Sequence, residues 1–215
     1  ANTTGNDNVV VGKNVLSTNT TGQGNTAIGN YALNSNVSGD KNVAVGLNAL
    51  FNNTSDNNTA IGSDAMKENT SGGGNTAVGY QSLNNNTTGS ANAAFGLEAL
   101  TSSTTSMRNT AIGYCAMRAV TTGNNNTAIG KDAMMTNQTG SNNTALGYRS
   151  LEVNTANNNT AVGYKSLLTN TSAAAVTGVG YQALAANTTG AENTAVGANA
   201  LEKNTTASGN AAFGK

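Results

Sequence analysis

Few of the 215 residues carry side chains that do chemistry, and their spacing suits little of it. The chain has no His, so it offers neither a Ser-His pair nor an imidazole metal ligand. Cys115 stands alone, with no base to hold it as a thiolate nucleophile and no second Cys for an intrachain disulfide. The ten carboxylates are scattered, with no pair placed for acid–base work. Gly72-Gly73-Gly74-Asn75 is the nearest approach to the Gly-Gly-x-Gly-x-Asp unit of calcium-binding rolls, and it lacks the Asp. These features point away from an enzyme, a cofactor and a bound metal. The tyrosines are more suggestive. Five of the six, Tyr80, Tyr114, Tyr148, Tyr164 and Tyr181, follow a glycine at one recurring position. Aromatics in a row could stack on sugar rings or meet a protein partner. Alternatively they cover a corner and pack on one another, since Lys13, Ser63, Lys131 and Ala198 hold the same position elsewhere.

Stepping along the chain, that position belongs to a repeat whose pentapeptide is of the type Asn-Thr-Ala-Ile-Gly. The closing glycines are Gly12, Gly29, Gly46, Gly62, Gly79, Gly96, Gly113, Gly130, Gly147, Gly163, Gly180, Gly197 and Gly214. They are 17 residues apart, except for 16 at Gly46 to Gly62 and at Gly147 to Gly163. Numbered from its first Asn, one unit reads Asn-Thr-Ala-Ile-Gly-x-x-Ala-Leu-x-x-Asn-Thr-Thr-Gly-x-x. The copies fill the chain, leaving a partial unit at 1–7, and predict one repetitive domain over 1–215.

A unit with two glycines and an Asn-Thr-Thr segment has no room for an ordinary helix. Thr and β-branched residues at positions 2 and 4, bounded by Asn and Gly, predict a short strand between turns. Parallel coils stack about 4.8 Å apart, so the fold class expected is all-β, a parallel β-solenoid of about thirteen coils and on the order of 60 Å long. A coil perimeter of about 56 Å leaves a thin interior. Glycine at position 5 supplies a corner with φ > 0, which makes Gly29, Gly46, Gly62, Gly79, Gly96, Gly113, Gly130, Gly147, Gly163, Gly180 and Gly197 the structural turn residues.

Asn (38 residues) and Thr (32) dominate the composition because stacking rewards identical amides and hydroxyls one above another. Identical charges in the same place would repel, and the pentapeptide contains none. If positions 2 and 4 fill the coil, position 3 faces the other way, yet it is Ala in eleven of thirteen copies. Position 8 is Ala or Ser in eleven of twelve. Two rows of small residues opposite the core suggest an interface between parallel chains, with packing against another part of the same coil as the alternative. Cys115, at a position that is elsewhere Gln, Asn or Lys, reads as a neutral surface substitution.

Net charge is zero, with ten basic and ten acidic residues, which gives no footprint for nucleic acid. The longest apolar runs, such as Ala173-Ala174-Ala175-Val176, are far short of the roughly 20 residues that cross a bilayer. No charged and then apolar segment opens the chain as a signal peptide would, and Ala1-Asn2-Thr3-Thr4-Gly5 reads as the tail of a unit in a fragment or processed product. Asn19, Asn53, Asn69, Asn86, Asn170 and Asn187 match the Asn-x-Ser/Thr glycosylation signal, which the repeat creates automatically at position 12. Thr at position 13, in ten of twelve units, could line up as an ice-binding face or simply form a ladder.

The pentapeptide resembles the head repeats of trimeric autotransporter adhesins of the YadA type. The longer form, Gly79-Tyr80-Gln81-Ser82-Leu83 followed by Asn86-Thr87-Thr88-Gly89, is similar to repeats of bacteriophage tail fibres and related fibre proteins. That resemblance implies a left-handed roll, three chains side by side, an extracellular, cell-surface or virion location, and attachment to a glycan or protein receptor. This unit is longer than the adhesin unit, which implies an extra corner. An extracellular filament is the other assembly that open coil ends suggest.

Overall fold

The structure, a computed structural model, describes residues 3–215, so the first two residues of the partial unit at 1–7 lie outside the described residues. It is all-β, with thirteen parallel three-residue strands that occupy positions 2 to 4 of successive units. The chain divides into two compact units between Arg108 and Asn109. The first holds β1 (Val9–Val11), β2 (Thr26–Ile28), β3 (Val43–Val45), β4 (Thr59–Ile61), β5 (Thr76–Val78) and β6 (Ala93–Phe95). The second holds β7 (Thr110–Ile112), β8 (Thr127–Ile129), β9 (Thr144–Leu146), β10 (Thr160–Val162), β11 (Thr177–Val179), β12 (Thr194–Val196) and β13 (Ala211–Phe213). Within each unit every strand pairs in register with its sequence neighbour, Thr59 on Thr76 and Ala60 on Ala77, for example. Each unit is therefore a β-solenoid.

The interior is the reverse of the one expected. Ala at position 3, from Ala27 to Ala195, is fully buried, whereas Ile28, Ile61, Ile112 and Ile129 at position 4 are exposed. Position 8 (Ala32, Ala65, Ser82, Ala116) and position 9 (Leu33, Met66, Leu83, Met117) join position 3 inside. The small rows are thus the core itself, packed across the same coil, and not an interface between chains. The reason is width: the coil is too narrow to take two branched side chains from a strand, so the strand turns its single Ala inward and its two larger residues outward.

Position 9 reaches the core by an unfavourable backbone. Leu33, Leu50, Met66, Leu83, Met117 and their counterparts all adopt φ between 47° and 54°. That left-handed conformation costs an L-residue about 1–2 kcal/mol, and full burial of a Leu or Met side chain contributes about 1.5–3 kcal/mol in the other direction. The two terms are close, which leaves only a large apolar residue able to hold the position.

Much of the interior is polar, chiefly Asn. At position 1, Asn in most coils donates its backbone N–H to the Oδ1 of the Asn one coil earlier, and in several coils its Nδ2 as well, as Asn42 does to Asn25 at 2.9 and 3.1 Å. Its Nδ2 also reaches the position 15 carbonyl of its own coil, Asn75 to Gly89 O at 2.9 Å. The position 12 Asn donates to the same carbonyl, Asn86 to Gly89 O at 2.9 Å, and to the Asn below it, Asn86 to Asn69 Oδ1 at 2.6 Å. One inward carbonyl and two amides therefore close most coils, and the amides link each to the next; Ser103, Val120 and Val176 each replace one of the two Asn. Where the unit is 16 residues long, Ser55 and Ala156 present that carbonyl to Asn42, Asn53, Asn143 and Asn154 unchanged. The residue lost is at position 14, which is exposed in the longer units (Ser38, Thr88, Thr122, Thr189) and has no place in the core.

Two changes test this interior. Gly79 has φ 132°, and a Cβ there would lie 2.5 Å from Gly96 O. Gly79→Ala is expected to destabilise the chain by roughly 3 kcal/mol, from backbone strain and a clash that a flexible side chain cannot absorb; urea denaturation followed by circular dichroism reads it. Conversely, Asn86 Oδ1 is buried without a partner because Ser103 replaces the Asn that would donate to it, and the Ser103 hydroxyl is engaged with Ser106 at 2.5 Å. Ser103→Asn with Ser106→Gly and Val120→Asn continues the position 12 amides from Asn86 to Asn137 and is expected to stabilise by about 1 kcal/mol, seen as a raised urea midpoint.

Candidate functional site

Because positions 2 and 4 face outward, each strand contributes two side chains to an outer face that repeats coil by coil, Thr at position 2 in nine of thirteen copies and an apolar residue at position 4. Position 4 is Val, Ile, Leu or Phe in all thirteen copies, with no charge and no polar residue. Val11, Ile61 and Leu146 are exposed, and Val45, Val78 and Val162 are half-buried. The position 2 hydroxyls of Thr26, Thr59, Thr76, Thr127 and Thr160 make no hydrogen bond among the described residues. A flat face of this kind, apolar and lacking any like-charge conflict, can pack against another regular surface.

Beside it, past the position 5 glycine, runs the tyrosine position. The structure brings three of the five candidates into a column: Tyr148 stacks on Tyr164 at 5.4 Å with ring planes 19° apart, and Tyr164 on Tyr181 at 5.2 Å and 6°. Tyr114 joins through Lys131, whose Nζ lies 5.5 Å from the Tyr114 centroid and 5.8 Å from that of Tyr148. Such contacts stabilise by about 0.5–1 kcal/mol at exposed sites. Tyr80, in the first unit, has Ser63 and Leu97 at the same position on either side and does not stack. Packing on neighbours therefore does describe Tyr148 and Tyr164, whose faces are covered, while the ring edges and hydroxyls remain at the surface. A second aromatic contact, Tyr31 with Phe51 at 6.2 Å, has no signal in the repeat, because those residues occupy positions 7 and 10 and nothing repeats it.

The position 13 hydroxyls are committed elsewhere. Thr54, Thr70, Thr87 and Thr171 each donate from Oγ1 to a backbone carbonyl one coil on, at 2.8 to 3.0 Å. They form the ladder, and an array of free donors on that face is not what the structure presents. The glycosylation-type asparagines Asn19, Asn53, Asn69, Asn86, Asn170 and Asn187 are all fully buried, which withholds their amides from any modifying enzyme once the coil is formed. Cys115 is buried too, 3% exposed, and is not the surface substitution that its register position suggested. A thiol is small and apolar enough to sink where longer polar side chains lie at the surface.

Charged groups are engaged locally. Arg149 makes a bidentate pair with Glu152, Nε to Oε2 at 2.5 Å and Nη2 to Oε1 at 3.0 Å, and the hydrogen bond with Glu152 holds the guanidinium above its ordinary pKa. Asp40 accepts the Gln23 N–H at 2.8 Å, and Asp56 accepts the Asp40 N–H at 2.7 Å, so carboxylates on adjacent coils serve as backbone acceptors. Asp40 also lines a shallow cleft with Asp7, Gln23, Gly24 and Lys41. Among the described residues no three His, Cys, Asp or Glu gather as a metal-ligand set, and no helix is long and apolar enough to cross a membrane.

Comparisons with protein-family models, curated proteins and solved structures find no match for this chain. Its outer face and tyrosine column must be judged on their own geometry.

The commitment of the position 13 hydroxyls is testable. Thr87→Val removes one donor and leaves the Thr104 carbonyl without it, so stability should fall by about 1 kcal/mol in a urea titration. An unchanged midpoint would show that the ladder bond contributes nothing.

Proposed function

We propose that this chain is the shaft or head of an extracellular fibre of the adhesin or phage tail-fibre kind, in which three copies lie side by side and present a surface for attachment to a cell. It works mechanically: stacked coils hold a recognition surface away from its anchor, and repeated weak contacts add by avidity. No catalytic step is assigned to it. The location that goes with this function is the cell surface or the virion, and the winding that goes with it is left-handed.

One observation carries the assembly: the uncharged aliphatic row at position 4, exposed on the same face as the strand Thr residues. A second copy of the chain is the partner whose row has the same spacing and the same two shortened coils. Exposed apolar rows of this extent mark association surfaces. The face replaces the rows of small residues as the place where copies meet.

Sedimentation equilibrium should give three chain masses. Ile61→Asp with Ile129→Asp places two carboxylates on the outer face without touching the buried alanines, and should give one chain mass with an unchanged circular dichroism spectrum. A wild-type monomer would overturn the assembly, and long polymers in electron micrographs would favour an open filament over a closed trimer.

A second function, ice binding, draws on the position 2 hydroxyls of Thr26, Thr59, Thr76, Thr127 and Thr160, which make no hydrogen bond among the described residues, whereas the position 13 hydroxyls of Thr54, Thr70, Thr87 and Thr171 are engaged. Thermal hysteresis by the wild-type chain, abolished by Thr59→Lys with Thr127→Lys, would decide for it; no hysteresis at millimolar protein would remove it.

A further inference from the structure

In the second unit the column position lacks a ring at Lys131, Ala198 and Lys215, and the first two of these places differ. The first, at Lys131, is filled: its ammonium lies between the Tyr114 and Tyr148 rings. The second, at Ala198, holds only a methyl group, and Ala198 is exposed. Tyr181 therefore stacks on Tyr164 through one face and has no ring opposite the other. Exposure follows that arrangement: Tyr148 and Tyr164, inside the column, are 37% and 39% exposed, and Tyr181 at its end is 51% exposed. Lys215 holds the next position of the column after Ala198, two coils from Tyr181. Two coils span about 9–10 Å, enough for one further ring at the spacing the column already shows.

The position 7 side chains beside the open face are uncharged, and Lys215 lies beyond the gap. Gln182 adjoins Tyr181 and Asn199 adjoins Ala198, and neither side-chain amide makes a hydrogen bond among the described residues. An aromatic face beside free amides is the combination that takes a sugar: the C–H face of a pyranose lies on the ring, and its hydroxyls meet donors and acceptors at the rim.

We propose that the gap at Ala198, walled by Tyr181 and rimmed by Gln182 and Asn199, is a subsite for one neutral pyranose ring of a glycan. The site depends on the attachment part of the function proposed above and not on assembly, since one coil step of a single chain builds it. One ring gives a weak contact, on the order of millimolar, and a fibre with several copies would multiply it.

Saturation-transfer NMR with methyl β-D-galactopyranoside, methyl β-D-glucopyranoside and methyl α-D-mannopyranoside tests the site, with sedimentation run on the same samples. Transfer from the protein to the ring C–H protons of at least one glycoside is expected. Ala198→Tyr extends the column into the gap and should weaken that binding at least tenfold with the melting curve and oligomeric state unchanged. Tyr181→Ala should weaken it similarly. No transfer to any of the three, or equal binding by Ala198→Tyr, overturns the subsite. A monomer that still binds would refute assembly and leave the subsite standing, so the two failures are told apart.

Discussion

In most coils two buried asparagine amides meet one backbone carbonyl, and the rest of the molecule follows from that arrangement. A coil of 17 residues must turn back on itself with little apolar volume to drive the closure. Turning a carbonyl inward at position 15 would leave a buried acceptor, costing about 1–3 kcal/mol if unmet. The Nδ2 groups of positions 1 and 12 meet it, as Asn69 and Asn58 do at Gly72 O, both at 2.9 Å. The spare Oδ1 atoms then accept from the next coil, so the bonds that close one coil also fix its neighbour. The interior is in effect a pair of amide columns beside an apolar strip of Ala and Leu.

This arrangement explains which substitutions the repeat accepts. Val176 takes the place of a position 1 Asn and stays fully buried, and its backbone N–H still donates to Asn159 Oδ1 at 2.9 Å, so half of the link survives. Ser103 keeps a hydroxyl but cannot reach the amide below it, and Asn86 is left with an orphaned oxygen. Shortening a coil by one residue is tolerated at position 14 because its N–H only shares a carbonyl with position 13, as Thr88 and Thr87 share Thr104 O, and in the short coils Thr54 and Thr155 still donate to the equivalent carbonyl. At the surface the rule relaxes. Position 6 holds Tyr, Lys, Leu, Ser, Asn or Ala, and the freedom that allows a tyrosine column also allows gaps in it.

Much of the fold was legible in the residues. The glycine spacing located every strand, the parallel register followed from the constant unit, and the aromatic position was visible before any ring was seen to stack. The faces were not legible. A three-residue strand has two residues on one side and one on the other, and alternation alone does not say which side is inside. Branched residues at positions 2 and 4 looked like core because size was weighed without the width of the coil. Nor did composition foretell a left-handed backbone at Leu33 or Met117, since leucine and methionine carry none of the preference that glycine and asparagine have for it.

By itself, the sequence determined the pitch, the strand positions, the corner glycines and a pentapeptide free of charge, because these depend on residue type at fixed spacing. Only the tertiary structure decided which face is buried, that Cys115 lies inside, that the position 13 hydroxyls bind carbonyls while those of position 2 stay free, and that a ring is missing beside Tyr181. Each of these depends on what lies one coil away and on how narrow the coil is. Those distances arise only when the chain has wound upon itself.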